Sequence, residues 1–130
     1  MQIRIKRIYD PPASEDGFRV LVDRLWPRGV SKEAAAIDRW ERDLAPSDEL
    51  RKWFKHEPRK FRAFRARYRE ELQTRGWDPI EAFATANEDT VTLLYAARDE
   101  RHNNAVVLAE WIAETRDRLQ PIANKAGERS

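Results

Sequence analysis

Three short segments of the chain have the hydrophobic patterning of β-strands. Ile3 and Ile5, followed by Ile8, are interspersed with basic residues, which is typical of a strand with one solvent-exposed face. The segment 10–12, Asp-Pro-Pro, ends this strand because proline lacks the N–H group that a strand ladder requires. Residues 18–22 and 90–95 are rich in apolar and β-branched side chains, as expected of strands that are covered on both faces.

The segments between and after these strands have helical features. Ser31 and Ser47 are suitable N-caps, and Pro58 fits the first turn of a helix. An apolar stripe at helical spacing follows, formed by Phe61, Phe64, Tyr68 and Leu72, and Gly76 ends that helix. The predicted helices cover residues 32–40, 48–56, 58–75, 79–86 and 103–119.

Strands separated by helices predict an α/β fold. We expect a single, three-layer-like domain over residues 1–122, with a small, mostly parallel sheet of about three or four strands flanked by helices. Residues 123–130 are predicted to be a frayed tail. Ligands of such sheets bind outside the carboxyl ends of the strands, so the residues that follow each strand are the first candidates for a site.

Composition narrows the class of protein. The chain has 130 residues, of which 41% are hydrophobic and 37% charged, as in globular domains. It has no run of 18 apolar residues, and charges interrupt its start, MQIRIKRIYD, so we expect neither a membrane span nor a secretory signal. The absence of cysteine excludes disulfides and thiol nucleophiles. By elimination, we expect a cytoplasmic protein.

Two of the predicted strands run directly into charged residues. The second continues as DRLWPRG over residues 23–29, and the third continues as AARD over residues 96–99. If the two strands are parallel neighbours, their arginines converge over one crevice, where guanidinium groups bind carboxylate or phosphate. The predicted ligand-binding residues are Asp23, Arg24, Trp26, Arg28, Gly29, Arg98 and Asn104.

The same residues also allow other interpretations. Asp23 and Asp99 can pair with the arginines and hold the loops down, with or without a ligand. Asp99 and His102 are the candidate catalytic residues, with His102 as a general base that Asp99 orients. We interpret His56 as a cation at a helix C-terminus. Asn103 and Asn104 can cap the last helix or bind a ligand, and we favour a cap for at least one of them.

The sequence contains no motif for a metal or a cofactor. Two distant histidines without cysteine do not form a ligand set. Phosphate-binding glycine loops, a nucleophile elbow and an HExxH motif are all absent. We therefore predict no metal site and no cofactor.

Charge is unevenly distributed along the chain. The formal net charge is only +2, yet residues 51–75 contain ten Lys and Arg against three Glu. This basic segment suggests nucleic-acid binding as an alternative function, although its aromatic residues occupy the apolar stripe. A protein-interaction domain that exposes Trp40, Trp53 and Trp77 is a second alternative. The oligomeric state stays open.

Three ordered motifs resemble those of a known family. DGFRVLVDRLWPRG, LAPSDELRKWFKHEPRKF with a following YREEL, and VTLLYAARDERHNNAVVL resemble the domain of unknown function 488 family, in its YeaO-like branch. The resemblance spans residues 7–108. The residues that match the family's motifs are Asp23, Arg24, Trp26, Pro27, Arg28, Gly29, Trp53, His56, Arg98, Asp99 and Asn104.

The resemblance implies a compact α/β domain and no established activity. Other branches have cysteine where this chain has Tyr95, and Cys-His-Arg where it has residues 102–104, so their thiol or metal chemistry is not implied for this chain. Our leading hypothesis is a protein that binds an anionic small molecule, such as a nucleotide or phosphorylated metabolite. In this hypothesis Arg24, Arg28 and Arg98 hold the anion, and the two aspartates orient the arginines.

Overall fold

The strands of this protein form one parallel sheet. The computed structural model describes residues 1–76, 78, 82–83 and 89–119. Within these residues the strands are β1 (Gln2–Arg7), β2 (Phe18–Leu21), β3 (Arg39–Trp40) and β4 (Thr90–Tyr95). Their order across the sheet is β1-β4-β2-β3, and every pair is parallel. The predicted α/β fold is therefore confirmed, with a sheet that is parallel throughout its described strands.

Four helices are described around this sheet: α1 (Lys32–Ala35), α2 (Asp48–Phe54), α3 (Phe61–Arg75) and α4 (Asn104–Leu119). Short 3₁₀ turns lie at Ser14–Asp16, Arg42–Leu44 and Pro58–Lys60. Ser31 and Ser47 cap α1 and α2 as predicted, since each side chain accepts a hydrogen bond from the backbone N–H three residues later. None of these described helices is long and apolar enough to cross a lipid bilayer.

The two faces of the sheet bury different side chains, as the alternation of a strand requires. Val20 of β2 and Leu93 of β4 belong to the larger cluster, which α2, α3 and α4 cover. Leu21 and Leu94 point the other way, into a smaller cluster with Ala35 of α1. The apolar runs of β2 and β4 thus correspond to central strands with both faces buried.

The helix predicted over residues 32–40 is wrong after Ala35. Ala36 is left-handed, with φ 46°, and ends the helix. Arg39 and Trp40 then pair with β2 as a short edge strand. Pairing with β2 outweighs the helical pattern because Asp38 also bonds to β2: its N–H donates to the Arg19 carbonyl, and its side chain accepts from the Arg19 N–H.

Two other predicted boundaries are corrected. Helix α2 stops at Phe54 and not at residue 56, because Lys55 adopts a left-handed conformation with φ 50°. The third predicted helix begins as a 3₁₀ turn at Pro58 before α3 starts at Phe61. The predicted helix 79–86 lies mostly outside the described residues, and the predicted tail 123–130 lies entirely outside them.

Gly17 leads into β2 at a point where no other residue fits. Its φ is +63°, and a Cβ added there would lie 2.2 Å from the carbonyl oxygen of Thr90 on β4. Only glycine combines this conformation with such a close approach of two backbones. The close approach fixes the register of β2 against β4, and with it the position of the residues that follow β2.

Candidate functional site

The carboxyl edge of the sheet carries a cleft of about 690 Å³. Because β1, β2 and β4 are parallel and adjacent, the residues that follow them meet at this edge. Helix α2 and the start of α4 complete the walls. The lining residues are Tyr9, Asp23–Arg28, Pro46, Arg51, Phe54, His56, Phe64, Ala96–Asp99, Asn103 and Asn104.

The structure brings together most of the site predicted from the sequence. Seven of the nine candidate residues line the cleft: Asp23, Arg24, Trp26, Arg28, Arg98, Asp99 and Asn104. Gly29 and His102 do not line it. Gly29 has φ +72° with nothing within 4 Å of an added Cβ, so its conformation serves the turn and not a close approach to a ligand.

Four arginines surround the cleft. Arg24 is half-buried and donates from Nε to the carbonyl oxygen of Pro46 at 3.1 Å. Arg28 and Arg98 are exposed. Among the described residues, none of these three has a carboxylate partner. Arg51 of α2, which sequence reasoning did not assign to the site, pairs with Asp48 at 2.6 Å, while its buried Nε has no partner in the described structure.

Asp23 is a half-buried carboxylate of the cleft, two residues after β2. Its Oδ1 accepts from the side-chain amide of Asn104 at 3.0 Å, and its Oδ2 accepts from the N–H of Ala96 at 2.9 Å. Burial raises the pKa of Asp23 above its ordinary value, although these two bonds and the charge of His56 act to lower it. Two neutral donors, an amide side chain and a backbone N–H, therefore hold this carboxylate in place. The sequence pattern predicts arginine in that role.

Asp99 organises its own loop. Its Oδ1 accepts from the N–H groups of Arg101 and His102, at 2.9 and 3.0 Å, and its Oδ2 lies 2.8 Å from Nδ1 of His102. The bonds from Arg101 and from the His102 ring hold the pKa of Asp99 below its ordinary range. The Asp99–His102 pair thus forms as predicted, but the histidine ring packs edge-on against Phe61 at 5.1 Å, outside the cleft lining.

Two tryptophans hold the loop after β2. Trp26 donates its indole N–H to the carbonyl oxygen of Val30 at 2.7 Å, and its ring meets Trp40 edge-on at 5.4 Å. Trp40 donates in turn to the carbonyl oxygen of Asp23 at 2.8 Å. Trp26 therefore shapes the wall of the cleft and fixes the loop that carries Arg24 and Arg28.

His56 is a second cleft residue that sequence reasoning interpreted otherwise. It follows Lys55, and both are left-handed, with φ 57° and 50°. Non-glycine residues in this region are uncommon and store strain, often at functional positions. This backbone turns the chain at the end of α2 so that His56 reaches the cleft. The sequence pattern predicts a helix up to residue 56 and gives no signal for this turn.

The first turn of α4 faces the same cleft. Buried Asn103 accepts from the N–H of Val106 at 3.0 Å and so caps the helix, as predicted for at least one of the two asparagines. Asn104 instead donates to Asp23 and to the carbonyl oxygen of Val22 at 3.0 Å. The amino-terminal end of a helix favours negative charge, which adds to the effect of the arginines.

Many basic residues of the segment 51–75 form ion pairs, although seven of them share only five carboxylates. Seven of its ten basic residues pair with carboxylates of described residues; these are Arg51, Lys52, Arg59, Lys60, Arg65, Arg69 and Arg75. Two of the pairs, Arg65–Glu110 and Arg69–Glu114, join α3 to α4. Nucleic-acid binding by this segment stays a prediction, with less free charge than the sequence suggests.

The exposed tryptophans expected of an interaction domain are partly covered. Trp40 is half-buried, and Trp53 packs against the larger core cluster, with the guanidinium of Arg67 over its ring at 4.3 Å. Trp77 lies outside the described residues. The motivation for this alternative is therefore weaker for two of its three residues.

Comparisons with known proteins identify the family. The model described as the Inactive DUF488-N3 subclade matches residues 2–130. The chain belongs to the YeaO-like DUF488 family. It is 43% identical to the uncharacterized protein YeaO of Escherichia coli K12 over 112 residues, which cover 86% of this chain and 97% of YeaO. It is 38% identical to the uncharacterized protein Rv3073c of Mycobacterium tuberculosis H37Rv over 111 residues, 85% of this chain and 93% of that protein. No solved structure gives a significant match.

Membership of DUF488 agrees with the resemblance drawn from the three motifs. All three contribute to the cleft: the first supplies residues 23–28, the second supplies Arg51 and His56, and the third supplies residues 96–99 and Asn104. The motif residues Trp53 and Gly29 lie outside the lining. The family motifs thus mark the carboxyl edge of the sheet.

Proposed function

We propose that the cleft binds an anionic small molecule, such as a nucleotide or a phosphorylated metabolite. The observation that carries this proposal is the grouping of Arg24, Arg28 and Arg98 around one cleft without a carboxylate partner among the described residues. A guanidinium group offers a planar set of donors that matches phosphate oxygens. Arg51 and the start of α4 add to the same positive region.

The size and lining of the cleft also suit a small molecule. Its volume of about 690 Å³ lies within the range of about 300–1,000 Å³ that is usual for such sites. Leu25, Pro27, Phe54 and Phe64 supply apolar surface beside the charged groups. The lining therefore favours a ligand with an apolar part as well as an anionic group.

The proposal is for binding and not for catalysis. The matching family model is described as inactive. Of the two residues predicted to transfer a proton, Asp99 lines the cleft but His102 does not. Both observations favour a binding role. The cytoplasmic location expected from the sequence remains part of this proposal.

A thermal-shift screen with phosphate, pyrophosphate, AMP and ATP tests the proposal. We expect at least one of these anions to raise the melting temperature of the wild type, and Arg28→Ala to lose that shift. Arg62→Ala is the matched control, since Arg62 is also an exposed arginine and does not line the cleft. Calorimetric titration should show a loss of affinity of about tenfold or more in Arg28→Ala, as expected for a charged hydrogen bond.

Two results would count against the cleft. One is the absence of stabilisation by any anion. The other is an equal shift in wild type, Arg28→Ala and Arg62→Ala, which would indicate nonspecific screening of a basic protein.

A further inference from the structure

We propose that the cleft selects anions that carry an exchangeable proton, such as phosphate and phosphate monoesters, over fully ionised anions such as sulfate. In this proposal the Asp23 carboxylate makes the selection by accepting a hydrogen bond from the protonated anion. This inference rests on the proposed function of the cleft. It adds a rule for which anions enter.

Asp23 has acceptor capacity left for a ligand. A carboxylate has about four lone-pair positions. In Asp23 one position on each oxygen is used, by Asn104 and by the N–H of Ala96. Because these donors come from α4 and from the residue after β4, they fix the carboxylate on two sides. Because Asp23 lines the cleft, its remaining lone pairs can accept a hydrogen bond from a ligand there.

The charged groups around Asp23 do not neutralise its carboxylate by forming ion pairs with it in the described part of the chain. The titratable and charged groups around it are Arg51 of α2, His56 after α2, Tyr68 of α3, Arg24 and Arg28 on its own loop, and Arg98 and Asp99 after β4. No described residue forms an ion pair with Asp23. His56 acts on it electrostatically, and burial favours its neutral form. A second negative charge placed beside Asp23 is therefore repelled unless a proton lies between the two groups.

Asp99 is less suited to this role. Its oxygens already accept from two backbone N–H groups and from the ring of His102, all within its own loop. It is held ionised by these donors and works as a turn-forming side chain. Asp23 is therefore the carboxylate of this cleft that can share a proton with a ligand.

Phosphate and sulfate differ in whether they carry a proton near neutral pH. They have the same tetrahedral shape, but phosphate monoesters lose their second proton near pH 6, so a proton is available close to neutrality. Sulfate holds a proton only in strong acid, so it carries none at neutral pH. A phosphate hydroxyl donates to the Asp23 carboxylate, so the ligand itself supplies the proton that lies between the two groups. Sulfate brings no proton and meets a bare carboxylate.

The test compares inorganic phosphate and inorganic sulfate by calorimetric titration of the wild-type protein at pH 7 and constant ionic strength. We expect phosphate to bind about tenfold or more tightly, the effect of one charged hydrogen bond. In Asp23→Asn the preference should be lost, chiefly because sulfate binds better. Asp99→Asn, the matched change at the other carboxylate of the cleft, should keep the preference.

The outcomes separate this inference from the function on which it rests. Equal affinities for phosphate and sulfate in the wild type would leave anion binding intact and overturn the selection by Asp23. Loss of the preference in Asp99→Asn but not in Asp23→Asn would overturn it as well. Absence of binding of either anion would overturn the proposed function and this inference together. If Asp23→Asn does not fold, equal affinities in the wild type still overturn the inference.

Discussion

The side-chain amide of Asn104 bonds to Asp23 Oδ1 at 3.0 Å and thereby joins the start of α4 to the end of β2. The same nitrogen donates to the carbonyl oxygen of Val22 at 3.0 Å. One residue thus holds both the backbone and the carboxylate of the strand end that opens the cleft. The shape of the cleft and the state of its central carboxylate are therefore coupled.

The first prediction concerns this link. Asn104→Ala removes the donor to a half-buried carboxylate, so we expect the free energy of unfolding to fall by about 1.5–3 kcal/mol. The pKa of Asp23 should rise further, because the amide lowers it in the wild type. Urea unfolding and NMR titration of the carboxyl carbon measure these effects. Thr74→Ala, which removes an exposed hydroxyl bonded to the Glu70 carbonyl, is the control and should change stability little. An unchanged pKa of Asp23 would contradict the coupling.

The second prediction concerns pH and Asp99. Its pKa is lowered in the folded protein by the N–H of Arg101 first and by the His102 ring next. The folded state therefore binds this proton less readily than the unfolded chain, whose aspartates titrate near 3.8. The stabilisation is present above that pH and is lost as the pH falls through the lower pKa of the folded state. We expect Asp99→Ala to be less stable than wild type at pH 6, with the difference shrinking towards pH 2. A difference that is constant with pH would contradict the assignment.

The third prediction uses two glycines with similar φ. Gly17→Ala places a Cβ 2.2 Å from the Thr90 carbonyl oxygen, whereas Gly76→Ala meets nothing within 4 Å. Gly76 is left-handed, with ψ 26°, so its change carries a conformational penalty of about 1–2 kcal/mol. Gly17 has ψ −129°, a conformation that is open to glycine and strained for other residues. Gly17→Ala must also push the backbones of residues 17 and 90 apart. We therefore expect a clearly larger loss in the free energy of unfolding, measured by chemical denaturation, or no folded protein. Equal losses at the two positions would show that the close approach at Gly17 is relieved at little cost.

The fourth prediction concerns a buried ion pair beneath the sheet. Arg19 and Asp16 are 4% and 1% exposed and bond to each other, and Arg19 also donates to the carbonyl oxygens of Ala35 and Ala36. Arg19→Met leaves Asp16 with Lys6 as its charged partner and with the N–H of Ala13, and breaking such a buried pair costs about 3–5 kcal/mol. Lys52→Ala breaks an exposed pair with Asp48 and should change stability little. Equal effects in urea unfolding would contradict the difference in burial.

The fifth prediction concerns the strained turn after α2. Lys55 is exposed and left-handed, a position that favours glycine at the end of a helix. Lys55→Gly should raise the free energy of unfolding by about 1 kcal/mol, because glycine enters this region without steric cost. Its anion affinity should stay near that of wild type, since Lys55 does not line the cleft. A loss of stability would show that the lysine side chain contributes more than the turn costs.

Much of the fold was predictable from local pattern. The apolar runs of β2 and β4 and the caps Ser31 and Ser47 each depend on residues that are close in sequence, so they can be recognised without coordinates. The short strand Arg39–Trp40 could not be recognised, because its stability comes from pairing with residues 20 and 21 and not from its own composition. Local preference favoured a helix there, and strand pairing overrode it.

The same division holds for the site. The sequence by itself determined that charge follows two strands, and a parallel sheet brings such ends together whatever the details of packing. Only the tertiary structure decided that Arg51 and His56 join them, that His102 does not line the cleft, and that Asp23 bonds to neutral groups in place of arginine. The partners of Asp23 lie 73 and 81 residues away along the chain. Hydrogen-bond partners at such separations depend on how helices settle on the sheet, and no local pattern of residues specifies that.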